Sequence, residues 1–204
     1  MQKLKPFIDL GNDRQLIKNK VITKFAEIID LLKLKEVVDE VHLAETPHRV
    51  AKMFMDELFA GCYEGPPNVK IFEDKNGTPV INSNITIKSV CAHHFIPFVG
   101  KCSIYYIPAN NKLTGLSKFS RVADYYSRRP QIQENLTNQI GNHFVEALQP
   151  EELIVAIKAK HLCICHRGAN EDNPVTETYF SYAKTGTIDF AKIQYVLETI
   201  NFKG

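Results

Sequence analysis

No stretch of this 204-residue chain approaches the roughly 20 consecutive apolar residues that a membrane-spanning helix requires. A membrane partner is therefore not expected. The amino terminus, Met1-Gln2-Lys3-Leu4-Lys5-Pro6, lacks the apolar core of a secretory signal, so a cytoplasmic location is expected. Net charge is also scarce. A formal balance of +2 is too small for a broad nucleic-acid footprint, so any anion site must be a local cluster. There is no internal repeat and no low-complexity tract. Cysteines number five, an odd count, and they cluster with histidine. That supply suits a reducing compartment and metal binding better than a disulfide framework. A disulfide between Cys91 and Cys163 is the competing reading.

What is present is ordinary globular material, with 44% hydrophobic and 24% charged residues, enough for one domain with an appendage. Two segments stand out, Cys91-Ala92-His93-His94 and His161-Leu162-Cys163-Ile164-Cys165-His166-Arg167-Gly168. Three of the five cysteines and four of the seven histidines fall in these twelve positions. Thiolate and imidazole are the donors zinc prefers, and three protein ligands with one open position make a catalytic rather than a structural site.

Apolar residues at Leu16, Ile17, Val21, Phe25, Ile28, Ile29 and Leu32 predict a helix between Asn12 and Leu34, capped by Asn12 or Asp13. Thr46-Pro47 predicts a capped helix burying Val50, Met53, Phe54 and Leu58 and stopped by Gly61. Residues 1–61 form a helical arm on this reading. Residues 62–84, with Gly65-Pro66-Pro67 and Asn76-Gly77-Thr78-Pro79, form a connector with turns. Beyond it the period changes. Strands are expected at Ile85–Val90, Lys101–Ile107, Leu153–Cys165 and Val175–Tyr182. Helices are expected at Ser117–Ser127, Gln131–Leu148 and Asp189–Ile200. The fold class is α+β, an antiparallel four-stranded sheet with two helices on one face, and residues 85–204 make its main domain.

If the third strand ran through to Cys165, then His161, Cys163, Cys165 and Arg167 would share one face. A two-residue offset would hold the Cys163 and Cys165 sulfurs roughly 6–7 Å apart, too far for a shared ion. Spacing favours Cys91 and His94 as ligands over the adjacent pair His93–His94, leaving His93 free to move protons near neutral pH. Gly115-Leu116-Ser117-Lys118 opens a helix, with Lys118 and Arg121 on one face, a pairing suited to phosphate. Glu134, beside Gln133, could accept from the N1–H and amino edge of a guanine, although helix capping is the commoner use. Arg49 and Lys52 carry the same ambiguity between ligand contact and solvated face.

Together these segments resemble the GTP cyclohydrolase I family over about Glu45 to Tyr182. The resemblance rests on Glu45-Thr46-Pro47-His48-Arg49-Val50-Ala51-Lys52-Met53, on Cys91 to Gly100, and on Gly115-Leu116-Ser117-Lys118. It rests also on Ser127-Arg128-Arg129-Pro130-Gln131-Ile132-Gln133-Glu134 and on His161 to Gly168. It implies the tunnelling fold, a homodecamer with active sites at subunit interfaces, and GTP as substrate. It implies Zn2+ as cofactor, held by Cys91, His94 and Cys163, with His93 and His161 as acid–base groups. Gln133 and Glu134 would recognise guanine. Ser117, Lys118, Arg121 and Arg167 would serve ribose and triphosphate, with Arg49 and Lys52 reaching in from a neighbouring subunit. The implied reaction hydrolyses GTP to formate and 7,8-dihydroneopterin triphosphate, the first step of folate and pterin synthesis.

The chain departs from the family pattern at Ala92, where glutamate is usual, and at Asn135, where a basic residue is common. Cys165 and His166 also differ from the usual residues. A non-catalytic, zinc-stabilised nucleotide-binding relative is therefore the competing reading. Another tunnelling-fold enzyme, a nitrile reductase, would need a nucleophilic cysteine and a nicotinamide site, and neither has a positive sign here.

Overall fold

A computed structural model describes residues 7–73 and 77–203, and the chain divides into two compact units at Gly65. The amino-terminal hexapeptide and Asn76 of the expected turn lie outside the described residues. Among the described residues no helix is long and apolar enough to cross a membrane.

In the first unit, α1 (Arg14–Leu31) packs along α3 (Thr46–Lys52), with the short α2 (Glu40–Leu43) between them in sequence. The expected stripe of α1 is only partly used. Ile29 is buried, Ile17, Val21 and Phe25 are half-buried, and Leu16, Ile28 and Leu32 are exposed. The start of α3 differs from expectation by one residue, since Glu45 occupies the cap and Thr46 is already helical. Gly61 does not stop this region. A π-helical segment, Met53–Leu58, follows α3 and leads into α4 (Ala60–Tyr63), where Gly61 is buried. The wider turn, with Phe59 N donating to Phe54 O at 2.9 Å, shifts the helical phase. Pro47, Ala51, Met55, Ala60 and Gly61 are the buried residues, while Val50, Met53, Phe54 and Leu58 are half-buried. Asp56 takes both Arg14 and Lys18, and the Lys18 bond holds its carboxyl below the usual range against the opposing effect of burial.

The second unit is built on a five-stranded sheet: β2 (Val80–Cys91), β3 (Pro97–Ile107), β5 (Pro130–Gln131), β6 (Glu152–His161) and β7 (Val175–Ala183). Its order is β5-β2-β3-β6-β7. The four long strands pair antiparallel as expected, and the two-residue β5 adds a parallel edge beside β2. A separate small sheet joins β1 (Ile71–Glu73) to β4 (Lys112–Thr114). Helices α5 (Ser117–Ser127) and α6 (Gln133–Leu148) follow β3 and cover one face of the sheet. Their core includes Phe98, Ile104, Phe119, Leu136, Phe144 and Ile157. On the opposite face α8 (Phe190–Glu198) packs Ile193, Val196 and Leu197 on Ile154 and Ala156.

Three strand ends differ from expectation by more than one residue, and the first is β3, which starts at Pro97 rather than Lys101. β2 begins at Val80 rather than Ile85, because a register shift between Asn82 and Ile85 breaks the alternation there. Asn84 takes a left-handed conformation at φ 61° in that bulge. β6 stops at His161 rather than Cys165, and Leu162–Cys165 winds into the single helical turn α7. His166 N donates to Leu162 O at 3.0 Å, and the Cys165 thiol donates to His161 O at 3.1 Å. The shared strand face expected for His161, Cys163, Cys165 and Arg167 therefore does not exist beyond His161.

Candidate metal centre and adjoining cavity

Cys91 is the last residue of β2, 3% exposed, where the chain turns back toward β3. Its amide donates to Ile96 O at 2.9 Å, and its carbonyl accepts from Phe95 N at 2.8 Å. The tight turn places Phe95 at φ 54° and leaves His93 and His94 exposed on it. Cys163 enters from α7, buried at 6% exposure. His161 closes β6 opposite Phe98 of β3, and the two rings stack with centroids 4.5 Å apart at 12°.

Ligand atoms of Cys91, His161 and Cys163 all lie within 4.8 Å of one another, a group that could hold a metal ion. This is one imidazole different from the expected trio. His94 instead places Nε2 2.9 Å from an Arg167 guanidinium nitrogen. Successive residues of the turn send their rings apart, 6.3 Å between centroids, and it is His93 that faces Cys91, Nδ1 to Sγ at 3.5 Å. Two sulfurs with an imidazole form a donor set suited to zinc or another borderline-soft ion. Burial, and secondarily the bond to Cys91, pushes the Cys163 thiol up, so metal binding would release protons. The cysteines are free thiols.

A cavity of about 250 Å³ adjoins this group. Cys91, Cys163, His93, His161, Gln133, Glu134 and Thr176 are among the residues that line it. Burial is the main cause lowering the His161 pKa below its ordinary value; Glu134 opposes that shift and His93 adds to it. Burial thus favours the neutral form of His161. Glu134 is exposed at the start of α6 and lines the cavity, whereas Gln133 is buried and bonded to His161 Nε2 at 2.9 Å.

The remaining predicted residues lie elsewhere. Ser117, Lys118 and Arg121 sit on α5, whose start is tied to β2 by Asn82 Nδ2 donating to Leu116 O at 3.3 Å. Asn82 and Cys91 are at opposite ends of β2, nine residues and roughly 30 Å apart. Arg49 and Lys52 are exposed on α3 of the first unit. Cys165 is spent on the His161 carbonyl, and His166 is exposed at the end of α7. Ala92 is exposed, and its amide donates to Gln131 O at 2.9 Å, fastening the metal turn to β5. Sequence reasoning missed Thr176, which borders the cavity from β7, and Phe98, which holds the His161 ring. Strand pairing brings both to the site, and a single threonine or phenylalanine carries no local motif to announce it.

Comparison with known proteins agrees with this chemistry. The family model described as GTP cyclohydrolase I matches residues 23–198. The GTP cyclohydrolase 1 of Desulforamulus reducens is 44% identical over 138 residues, covering 67% of this chain and 73% of that protein. The protein of the same name from Mycobacterium avium is 41% identical over 151 residues, covering 72% and 74%. That of Corynebacterium glutamicum is 43% identical over 151 residues, covering 72% and 76%. Among solved structures, an archaeosine synthase QueF-Like in the apo form aligns with a TM-score of 0.43 at 18% identity, covering 53% of this chain and 96% of that one. With the family model spanning most of its length, the chain belongs to the GTP cyclohydrolase I family.

Proposed function

We propose that this protein hydrolyses GTP in a zinc-dependent reaction, releasing formate and yielding 7,8-dihydroneopterin triphosphate at the entry to folate and pterin synthesis. The observation that carries the reading is the Cys91–Cys163 sulfur pair with an imidazole, set beside a cavity that Glu134, His93 and His161 also line. The sulfur pair fits zinc, with His94 as third ligand by resemblance and His161 kept for proton transfer. Both imidazoles are candidates on geometry. His161 is bonded through Nε2 to the buried Gln133 and keeps its other ring nitrogen for either role, whereas His94 is bonded to an exposed arginine. Bound zinc would supply the Lewis acidity that makes water a nucleophile at neutral pH.

The side chains of this chain supply the rest. The Glu134 carboxylate accepts from the N1–H and amino edge of guanine and orients C8 toward the sulfur pair. His161, whose neutral form is favoured by burial, accepts a proton, while His93 delivers one to the ring nitrogen as the imidazole ring of the base opens. Hydrolysis of the resulting formamide releases formate, and the ribose then rearranges and recloses. Arg167, exposed beside His94, would hold phosphate oxygens once it leaves the imidazole.

Ser117 and Lys118 lie at the far end of the sheet, at a distance one nucleotide does not bridge within a single chain. That supports a site shared between copies in a homodecamer, with Arg121, Arg49 and Lys52 completing the triphosphate contacts. A cytoplasmic location accompanies this reading. Incubating the zinc-loaded protein with GTP, and watching for formate and a pterin chromophore, tests it. Intact zinc and tight GTP binding without turnover would establish the non-catalytic alternative instead.

A further inference from the structure

We infer that Gln133 is a positioning residue that fixes the tautomer of His161, rather than a contact of the guanine base. The inference deepens the reading above, in which His161 moves a proton. Gln133 is the first residue of α6, and its side chain points inward at 1% exposure. Its Nε2 lies 3.2 Å from Ile157 O, 3.0 Å from Thr176 O and 3.1 Å from Thr178 Oγ1. Backbone carbonyls only accept, so the amide nitrogen must occupy this side. Oε1 is therefore the atom 2.9 Å from His161 Nε2. An amide oxygen also only accepts, so His161 Nε2 must carry the proton. In the neutral ring the lone pair is left on Nδ1.

Two hydroxyls enforce the same direction. Thr137 Oγ1 donates its one proton to Gln133 O at 2.8 Å. At the 2.7 Å contact between Thr137 and Thr178, the donor must then be Thr178, which leaves the Thr178 oxygen to accept from Gln133 Nε2. No member of this chain can reverse without setting two donors or two acceptors face to face. Stacking on Phe98 at 4.5 Å opposes rotation of the imidazole out of this alignment. Three elements thus supply one directed network: α6 gives Gln133 and Thr137, β6 gives Ile157 and His161, and β7 gives Thr176 and Thr178. Its consequence is that proton exchange with the substrate runs through Nδ1. Loss of the network would set a protonated Nδ1 in place of the base and slow the reaction without weakening binding.

Long-range proton–nitrogen spectra of the zinc-loaded, 15N-histidine-labelled protein at alkaline pH test this, with His161 assigned by its absence in His161→Asn. The wild-type spectrum should show His161 protonated at Nε2 and bare at Nδ1. In Gln133→Met the His161 signals should show both tautomers. Turnover of GTP should then fall about tenfold or more while KM changes little. An Nδ1–H tautomer in the wild type would overturn the inference, and that spectrum decides alone if circular dichroism shows that Gln133→Met does not fold. An unchanged tautomer in Gln133→Met with a raised KM would also overturn it, making Gln133 a contact of the base. If the wild type shows the Nε2–H tautomer but does not turn over GTP, the positioning assignment stands and the hydrolase reading fails.

Discussion

Three imidazoles, those of His161, His93 and His94, are each held by a different kind of partner. His161 is tied to a buried amide, His93 leans on Cys91, and His94 is bonded to an exposed arginine. The division of labour proposed for them takes His94 as the zinc ligand by resemblance and leaves His161 and His93 for proton transfer. Cys163→Ser should lose both zinc and activity, read as the metal-to-protein ratio after dialysis and as formate release. His94→Ala should lose zinc, and His161→Ala should retain it. The reverse result would make Cys91, His161 and Cys163 the ligand set. His93→Ala should keep the metal while turnover falls by about 100-fold, the scale of a lost proton-transfer group. Release of zinc by that variant would show His93 to be a ligand instead. At this scale the sulfur donors were legible in advance, since a Cys-x-x-His pair needs no tertiary information. The imidazole that joins them was not, because His161 reaches the sulfurs only through the pairing of β6 with β3.

Helix α6 lies close against β7, and Gly141 makes that approach possible. A methyl group there would overlap the Phe180 ring. Gly141→Ala should therefore destabilise the protein by roughly 1–3 kcal/mol, the range for overpacking a filled core, seen as a lower denaturation midpoint. An unchanged midpoint would mean that the helix can lift from the sheet at no cost. Between α5 and α6, Tyr126 Oη meets His143 Nδ1 at 3.2 Å. Burial lowers the His143 pKa below its ordinary value, with Glu146 and the Pro67 backbone opposing. The unfolded chain thus takes up the proton first as pH falls, so this group's contribution is complete above the unfolded value and is lost with acidification through the folded one. Between about pH 7.5 and pH 5.5 the wild type should lose more thermal stability than His143→Gln. Equal losses would remove His143 as the cause. The elements themselves were mostly legible. Ser117–Ser127 is the helix its periodicity predicts, because α5 has one buried face and ordinary ends. The turn at Leu162–Cys165 was not, since four residues are too short to display a helical period and their alternation imitates a strand. The π-helical segment escaped for a related reason, as one added residue per turn leaves no composition of its own.

For the molecule as a whole, the separation of Ser117 and Lys118 from the sulfur pair along β2 has a direct consequence. If the catalytic site is shared between copies, a Lys118→Ala variant and a Cys163→Ser variant are each defective at different contributions to it. Mixing the two, dissociating them and letting them reassemble should restore part of the activity that neither has alone. Absence of any recovery, with mixed oligomers demonstrated by mass, would place the whole site within one chain. The linear order of motifs by itself determined the family, the α+β class and the sulfur donors, because donor chemistry and periodicity are local properties of short segments. Only the tertiary structure decided that β6 ends at His161, that Gln133 turns inward, and that His161 rather than His94 stands with the two sulfurs. Those outcomes depend on hydrogen-bond partners brought from β6, β7 and the turn after Cys91, and strand pairing across long sequence separations is what brings them together.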